Sequence, residues 1–359
     1  MRKIFIALMA LGLFTLGAEA QETQTLKVPD WIQNVKLSGY GMVQYQASDK
    51  TGAQENGFQL RLVRLALDGR VNQDWYWKTQ IQVNGNAFDQ NEKGKTNSLT
   101  IRTVDVFAEW QKYKAFMVKA GQFKRPFTFE NPMHPITQGF MSYSQPISKL
   151  AGFADRTGEQ ASNGRDIGVQ VQGDVLPING RNWLHYQVGV FNGEGINRKD
   201  MDNRKDVIGG MWIMPVDGMR IGVFGWTGSR ADVGNKDRYA VSADYQKNDY
   251  TFRAEYVHSK GFGADVRDGE NADGFYALGI VPIIKNKLHA KARYDVYRNE
   301  ATWNIRKINY EVGVDYLFSK NVQLNVEYAR VNEHVRNYST LTIGRYNYNL
   351  LDVELDFRF

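Results

Sequence analysis

The chain has 359 residues, with 45 Lys and Arg against 39 Asp and Glu, a formal charge of +6, and no cysteine. The absent thiols exclude a disulfide-stapled extracellular scaffold and thiolate metal sites. The charge excess is small and forms no basic cluster interleaved with aromatics, so no nucleic-acid partner is expected.

The chain opens on Arg2 and Lys3, an apolar stretch from Ile4 to Gly17, and Ala18-Glu19-Ala20. This is the pattern of an export signal over residues 1–20, cleaved at a small-x-small site. A membrane anchor is the alternative, disfavoured because the stretch is short and no stop-transfer charges follow. Residues 21–34, with Pro29 and Trp31, read as a periplasmic leader too short to form a plug. No later apolar run approaches the roughly 18–20 residues of a membrane helix. Mean hydropathy is −0.49, but alternating strands average to polar values, so a β-barrel remains open.

From residue 35 onward, sixteen strands are predicted: 35–47, 58–70, 75–84, 100–110, 114–123, 164–173, 183–192, 206–214, 218–227, 238–247, 250–259, 273–282, 287–298, 306–318, 321–333 and 346–359. Connections after even-numbered strands are short and those after odd-numbered strands mostly longer, as periplasmic turns and outer loops of a transmembrane barrel would be. Parity supports this. Ile308, Tyr310, Val312, Val314, Tyr316 and Phe318 oppose Lys307, Asn309, Glu311 and Asp315. The last strand sets Leu351, Val353, Leu355, Phe357 and Phe359 against Asp352, Glu354, Asp356 and Arg358. A period of two puts each set on its own face. The expected fold is therefore an all-β transmembrane antiparallel barrel over 35–359, with both termini on the periplasmic side.

One connection, 124–163, is far longer than a structureless loop usually is. Its Phe127, Phe129, Met133, Phe140, Tyr143, Leu150 and Phe153 suggest packing against the inner wall, where a loop narrows the lumen and sets selectivity. Lys124 and Arg125 open it. Their alternative role is a rim salt bridge, with Glu130 as partner.

Ala120-Gly121-Gln122-Phe123-Lys124-Arg125-Pro126-Phe127-Thr128-Phe129-Glu130, then Gly164-Arg165-Asp166-Ile167-Gly168, then Phe191-Asn192-Gly193-Glu194-Gly195 resemble, in order and spacing, the signatures of the phosphate-selective porin O and P family, common in Bacteroidota-type bacteria. The resemblance implies a sixteen-stranded outer-membrane porin, usually a homotrimer, passing small solutes by diffusion. The implied partners are outer-membrane lipid and lipopolysaccharide, the barrel assembly machinery reading Phe359 as its signal, and small anions or other small solutes.

The chain departs from the dense arginine ladder of members that select phosphate. Predicted lumen cations (Lys36, Arg64, Arg70, Lys78, Lys119, Arg253, Lys291, Arg293, Lys307) are nearly matched by acids (Asp68, Asp105, Glu109, Asp244, Glu255, Glu311, Asp315, Glu327, Glu354). A modest anion preference is expected, carried by Lys119, Lys124, Arg125, Arg64, Arg70, Arg253, Lys291 and Arg293, with Pro126, Phe127 and Glu130 shaping the loop. An oligosaccharide channel lined by Tyr40, Tyr76 and Phe107 is the alternative. No enzyme activity, cofactor or metal site is expected, since His134, His185, His258, His289 and His334 form no metal-spaced pair or nucleophile motif.

Overall fold

The computed structural model describes residues 33–52, 55–83, 101–153, 164–230, 234–261, 270–337 and 339–359. The expected export signal, nearly all of the expected leader and the end of the long loop lie outside the described residues.

Sixteen strands are present: β1 (Gln33–Ser48), β2 (Glu55–Arg70), β3 (Trp75–Gln82), β4 (Arg102–Tyr113), β5 (Phe116–Lys124), β6 (Arg165–Ile178), β7 (Arg181–Phe191), β8 (Asp206–Ile213), β9 (Met219–Arg230), β10 (Gly234–Lys247), β11 (Tyr250–Gly261), β12 (Asn271–Ile284), β13 (Leu288–Arg298), β14 (Arg306–Ser319), β15 (Val322–Asn337) and β16 (Thr342–Arg358). Each pairs antiparallel with its neighbours in sequence, and β1 pairs with β16 to close the barrel. A short helix, α1 (Gln145–Leu150), lies in the connection after β5.

The strands end close to the predicted limits, with three instructive differences. β6 continues past Asp174 through a kink at Leu176 (φ 54°), so its connection to β7 shrinks to Asn179 and Gly180, both left-handed at φ 50° and 76°. An Asn-Gly pair in that conformation is the tight hairpin turn that matches strand twist. β9 with β10, and β15 with β16, run further outward than predicted, which shortens two of the expected long connections. Finally, β2 carries a bulge between Leu62 and Leu60 opposite Met42 and Val43. The bulge turns Arg61 inward, a residue that parity alone assigns to the outer face.

Burial is inverted relative to a protein folded in water. On β14, Tyr310, Val312, Val314 and Phe318 are 39–62% exposed, whereas Glu311 and Asp315 are 7% and 6% exposed. Apolar residues outside and charges inside suit a barrel set in lipid. Rings form belts near each end of the outer face. Tyr239 contacts Tyr256, and Phe275, Tyr294 and Tyr310 follow one another at 5.3–5.8 Å between centroids. At the turn end Tyr245 meets Phe252 and Tyr316 meets Phe318. These are the positions of interfacial girdles.

Closure depends on the last residues. Gly39 N donates to Phe359 O at 3.2 Å, and Phe359 N donates to Gly39 O at 3.0 Å. The Phe357 ring lies over Gly41 so closely that a Cβ there would sit 2.3 Å from it. Gly41→Leu should therefore destabilise the closed barrel by about 1–3 kcal/mol through overpacking, whereas Gly57→Ala, with nothing within 4 Å of the added carbon, should be silent. Urea midpoints of the folded band on unheated gels check this.

Candidate functional site: the loop inside the barrel

Residues 125–153 run inside the barrel. Each strand of the wall is paired on both sides in the closed barrel, so the loop cannot add itself as a strand. Its buried amides and carbonyls pair in part within the loop and otherwise need side chains, which come from the inner wall.

The loop's root is where the three sequence motifs meet. Arg125 is 1% exposed. Its Nη2 lies 2.9 Å from Asp166 Oδ2, its Nη1 donates to Gly152 O at 2.7 Å, and its guanidinium stacks over Trp226. Asp166 Oδ2 also accepts from Gly193 N at 3.0 Å. Thus Asp166 on β6 ties the start of the loop to the glycine turn after β7. Gly164 (φ 69°) has no alternative here, because a Cβ would fall 1.8 Å from Asn131 Oδ1. Glu130, the partner in the alternative reading, does not pair with Arg125; Asp166 does. Arg125 faces a buried ion pair and not the lumen, so its role is to hold the root.

Beyond Pro126, Phe127 and Phe129 insert among Trp212, Phe224 and Trp226 of β8 and β9 at 5.3–6.5 Å between ring centroids. Glu255 of β11 then accepts from Phe129 N at 2.7 Å, Glu130 N at 2.8 Å and Tyr276 OH at 2.7 Å, and also from Ser242. Further on, Arg253 donates to Gln138 O at 2.9 Å, Lys291 to Gly139 O at 3.1 Å and Arg293 to Ser142 O at 2.9 Å. Arg61 donates to Met141 O, while Met141 N donates to Glu327 at 2.9 Å. At the start of α1, Gln145 N donates to Asp295 at 2.9 Å, and Arg238 meets Leu150 O at its end. Glu130 is fully buried and accepts from Ser144 N and Oγ. Burial pushes its carboxyl up, against the pull of Arg293 and Arg253.

Each expected cation therefore has a place. Arg253, Lys291 and Arg293 are paired with Asp244, Glu327 and Glu311 while they hold loop carbonyls. Arg70 stays at the turn end, donating to Gln73 O and Gln111. Lys119 lies 3.8 Å from Glu109 and over the rings of Phe107 and Phe123. Lys124 donates to Met133 O and Tyr143 OH, and Arg64 to Gln82 and Tyr40 OH. Missed from sequence were Arg61, hidden by the bulge, and Arg165, which pairs with Asp105 at 2.6 Å. So too was the use of Glu255, Glu327 and Asp295 as acceptors for loop amides, for which sequence carries no local signal.

One group of cations stands apart. His134, on the loop, packs edge-on against Tyr40 at 4.5 Å. Its pKa is pushed down to about 3, first by burial and then by Lys124, Arg64, Lys78 and Arg165. Four positive side chains from β2, β3, β5 and β6 thus act on one point of the loop.

Two His–Asp pairs, His185 with Asp174 and His289 with Asp315, sit at 2.7 Å, but among the described residues neither ring bonds a serine. Glu194, Asp200 and Asp202 bring ligand atoms within 4.8 Å of one another; Asp200 is already paired with Lys205.

A closed sixteen-stranded barrel, apolar outside and charged within, with a loop held inside its lumen, defines an outer-membrane channel. The family model for phosphate-selective porin O and P matches residues 35–205, so this chain carries that family's signature and is an outer-membrane porin, a passive channel. No curated protein matches the sequence. Among solved structures, OmpF of Salmonella typhi in complex with daunomycin is 14% identical with a TM-score of 0.65, covering 90% of this chain and 97% of that one. An anion-selective porin from Comamonas acidovorans is 13% identical with a TM-score of 0.63, covering 91% and 99%. The outer membrane channel DcaP of Acinetobacter baumannii is 12% identical with a TM-score of 0.61, covering 91% and 97%. At such identities the likeness is one of fold. The matched family is one of channels, not of enzymes.

Removing the Glu255 acceptors by Glu255→Ala should leave two buried loop amides unpaired and loosen the loop by about 3–5 kcal/mol. The expected result is a barrel that still folds, with protease cleavage within 125–153 and larger, noisier single-channel currents.

Proposed function

We propose that the loop 124–163 is the constriction of this porin and that the passage beside it favours small anions modestly. The supporting observation is the convergence of Lys124, Arg64, Lys78 and Arg165 on His134. Asp105 answers them through a salt bridge to Arg165, and Glu130 acts on Lys124. In a narrow, poorly screened passage, a fixed excess of one sign raises the local concentration of the opposite ion. The acids elsewhere on the wall are engaged with loop amides and with their own cations, which weakens their pull on mobile cations. Lys119, beside Glu109, contributes less. Cleavage of residues 1–20, a periplasmic leader at 21–34 and assembly as a homotrimer complete the reading. The trimer is supported by a similar barrel, OmpT of Vibrio cholerae, solved in a trimer form (TM-score 0.52, 11% identical, covering 90% of this chain and 99% of that one).

The parent channel in a KCl gradient should give an anion-preferring reversal potential. Arg64→Gln with Lys78→Gln should move it toward zero while the loop contacts of Lys124 stay in place. Cation preference in the parent would reject the assignment. Arg125 is unsuitable for this test, because its loss would unseat the loop root.

The pH dependence follows from His134. A histidine depressed to about 3 in the packed loop but near 6.5 when released binds more protons in the released state. Stability of the packed loop is therefore full above about pH 6.5 and falls as pH drops toward 3. Closing and noise events in single-channel records should rise between pH 7.5 and 5, and His134→Gln should flatten that rise.

A second reading rests on an aromatic run. Tyr76, Phe107, Phe123 and Phe191 follow one another at 5.5–6.1 Å on the inner wall, and Tyr76 and Phe107 are only half-buried. Such rings can stack sugars. Block of current by a maltodextrin at low concentration, with phosphate inert, would favour it.

A further inference from the structure

We propose that the outward face of β14, β15 and β16, just beyond the outer aromatic girdle, binds the phosphate of a lipid head group in the outer leaflet. Arg306, His334 and Arg345 stand directly abreast on these three strands. Four residues nearer the membrane centre, Tyr310, Arg330 and Asn349 form a second row in the same register. Both rows share the outward parity of Val312, Val326 and Leu351. Arg306 and Arg345, two strand spacings apart, are separated by about 10 Å at the backbone.

Like charges placed abreast on one face of a sheet destabilise it. Here both arginines act electrostatically on His334. Among the described residues no salt bridge reaches Arg306, Arg330 or Arg345. Arg306 donates only to Trp303 O and leaves its buried Nε without a partner. Arg330 donates to Asn349 Oδ1 at 3.0 Å and feels Asp49, whose two oxygens already accept from Asn349 N and Nδ2 at 2.6 Å each. The neighbouring acids Asp273 and Glu300 are taken by Arg298 and Arg336. An anion from outside the chain would complete this face.

Position selects the anion's source. The row of Arg306, His334 and Arg345 lies beyond Tyr294, Tyr310 and Tyr328, and Arg330 is level with Tyr310, at the end opposite the C-terminus, which is the outer end of a barrel with short periplasmic turns. Head groups occupy that level. Below it the surface is apolar, so acyl chains can lie along Val312 and Val326 while phosphate reaches the guanidinium groups, which bind it in bidentate fashion. The inference rests on the outer-membrane reading and not on the channel's selectivity.

The test uses the full barrel refolded in detergent and native mass spectrometry with three probes: a bis-phosphorylated lipid A, its dephosphorylated form, and inorganic phosphate. The phosphorylated lipid should bind the parent, and Arg306→Gln with Arg330→Gln and Arg345→Gln should weaken binding at least roughly tenfold. The matching triple Lys variant should retain most of it. Undiminished binding by the Gln variant, equal binding of the dephosphorylated lipid, or displacement of lipid by millimolar inorganic phosphate would each overturn the proposal, the last by making the patch a small-anion site. Single-channel conductance of the Gln variant should match the parent, so failure of lipid binding and failure of the porin reading are separable.

Discussion

A peptide segment confined within a closed barrel has no free strand edge to join, and this constraint shapes the interior. Backbone groups of residues 125–153 that do not pair within the loop are satisfied by side chains projecting from the wall. Acids accept from amides, as Glu255 does for Phe129 and Glu130 and Glu327 for Met141. Cations donate to carbonyls, as Arg253, Lys291 and Arg293 do. The dense charge of the inner face is thus largely a mould for the loop. It also explains why acids and bases are nearly balanced there: each buried charge needs a partner as well as its loop contact.

The division of labour among the cations follows. Those on β10 to β13 seat the loop. Arg64, Lys78, Lys124 and Arg165 instead converge on His134, where Lys124 also holds Met133 O and Tyr143 OH; this is the group proposed to act on what passes. A simple count of lumen charges merges the two groups and conceals the asymmetry. The apolar side of the loop acts with the first group: Phe127 and Phe129 bury their rings against β8 and β9, which fixes the loop's depth as well as its direction.

Architecture was legible from the chain because a lipid-facing strand must alternate, and alternation survives in any linear reading. Strand number carried through, and so did parity on most strands. Three features did not. The bulge at Arg61 reverses facing without leaving a composition signal. β6 continues through Pro177 into an Asn-Gly turn that linear reading takes for part of a loop. The meaning of the motifs was hidden as well, since the reason for Arg125, Asp166 and Gly193 is their meeting at one carboxylate, and sequence order does not show meeting. The same limit placed Arg125 in the lumen when it belongs to the root.

The loop lies within its own barrel, and the cysteine-free chain allows a clean test of that placement. Gln44 of β1 and Met141 of the loop touch, with 4.0 Å between Nε2 and Sδ. In the double variant Gln44→Cys and Met141→Cys, a bismaleimide whose span covers the two shortened side chains should join the thiols within single chains, seen as a compact monomer on denaturing gels. Cross-linked dimers, or free thiols that never pair, would contradict it.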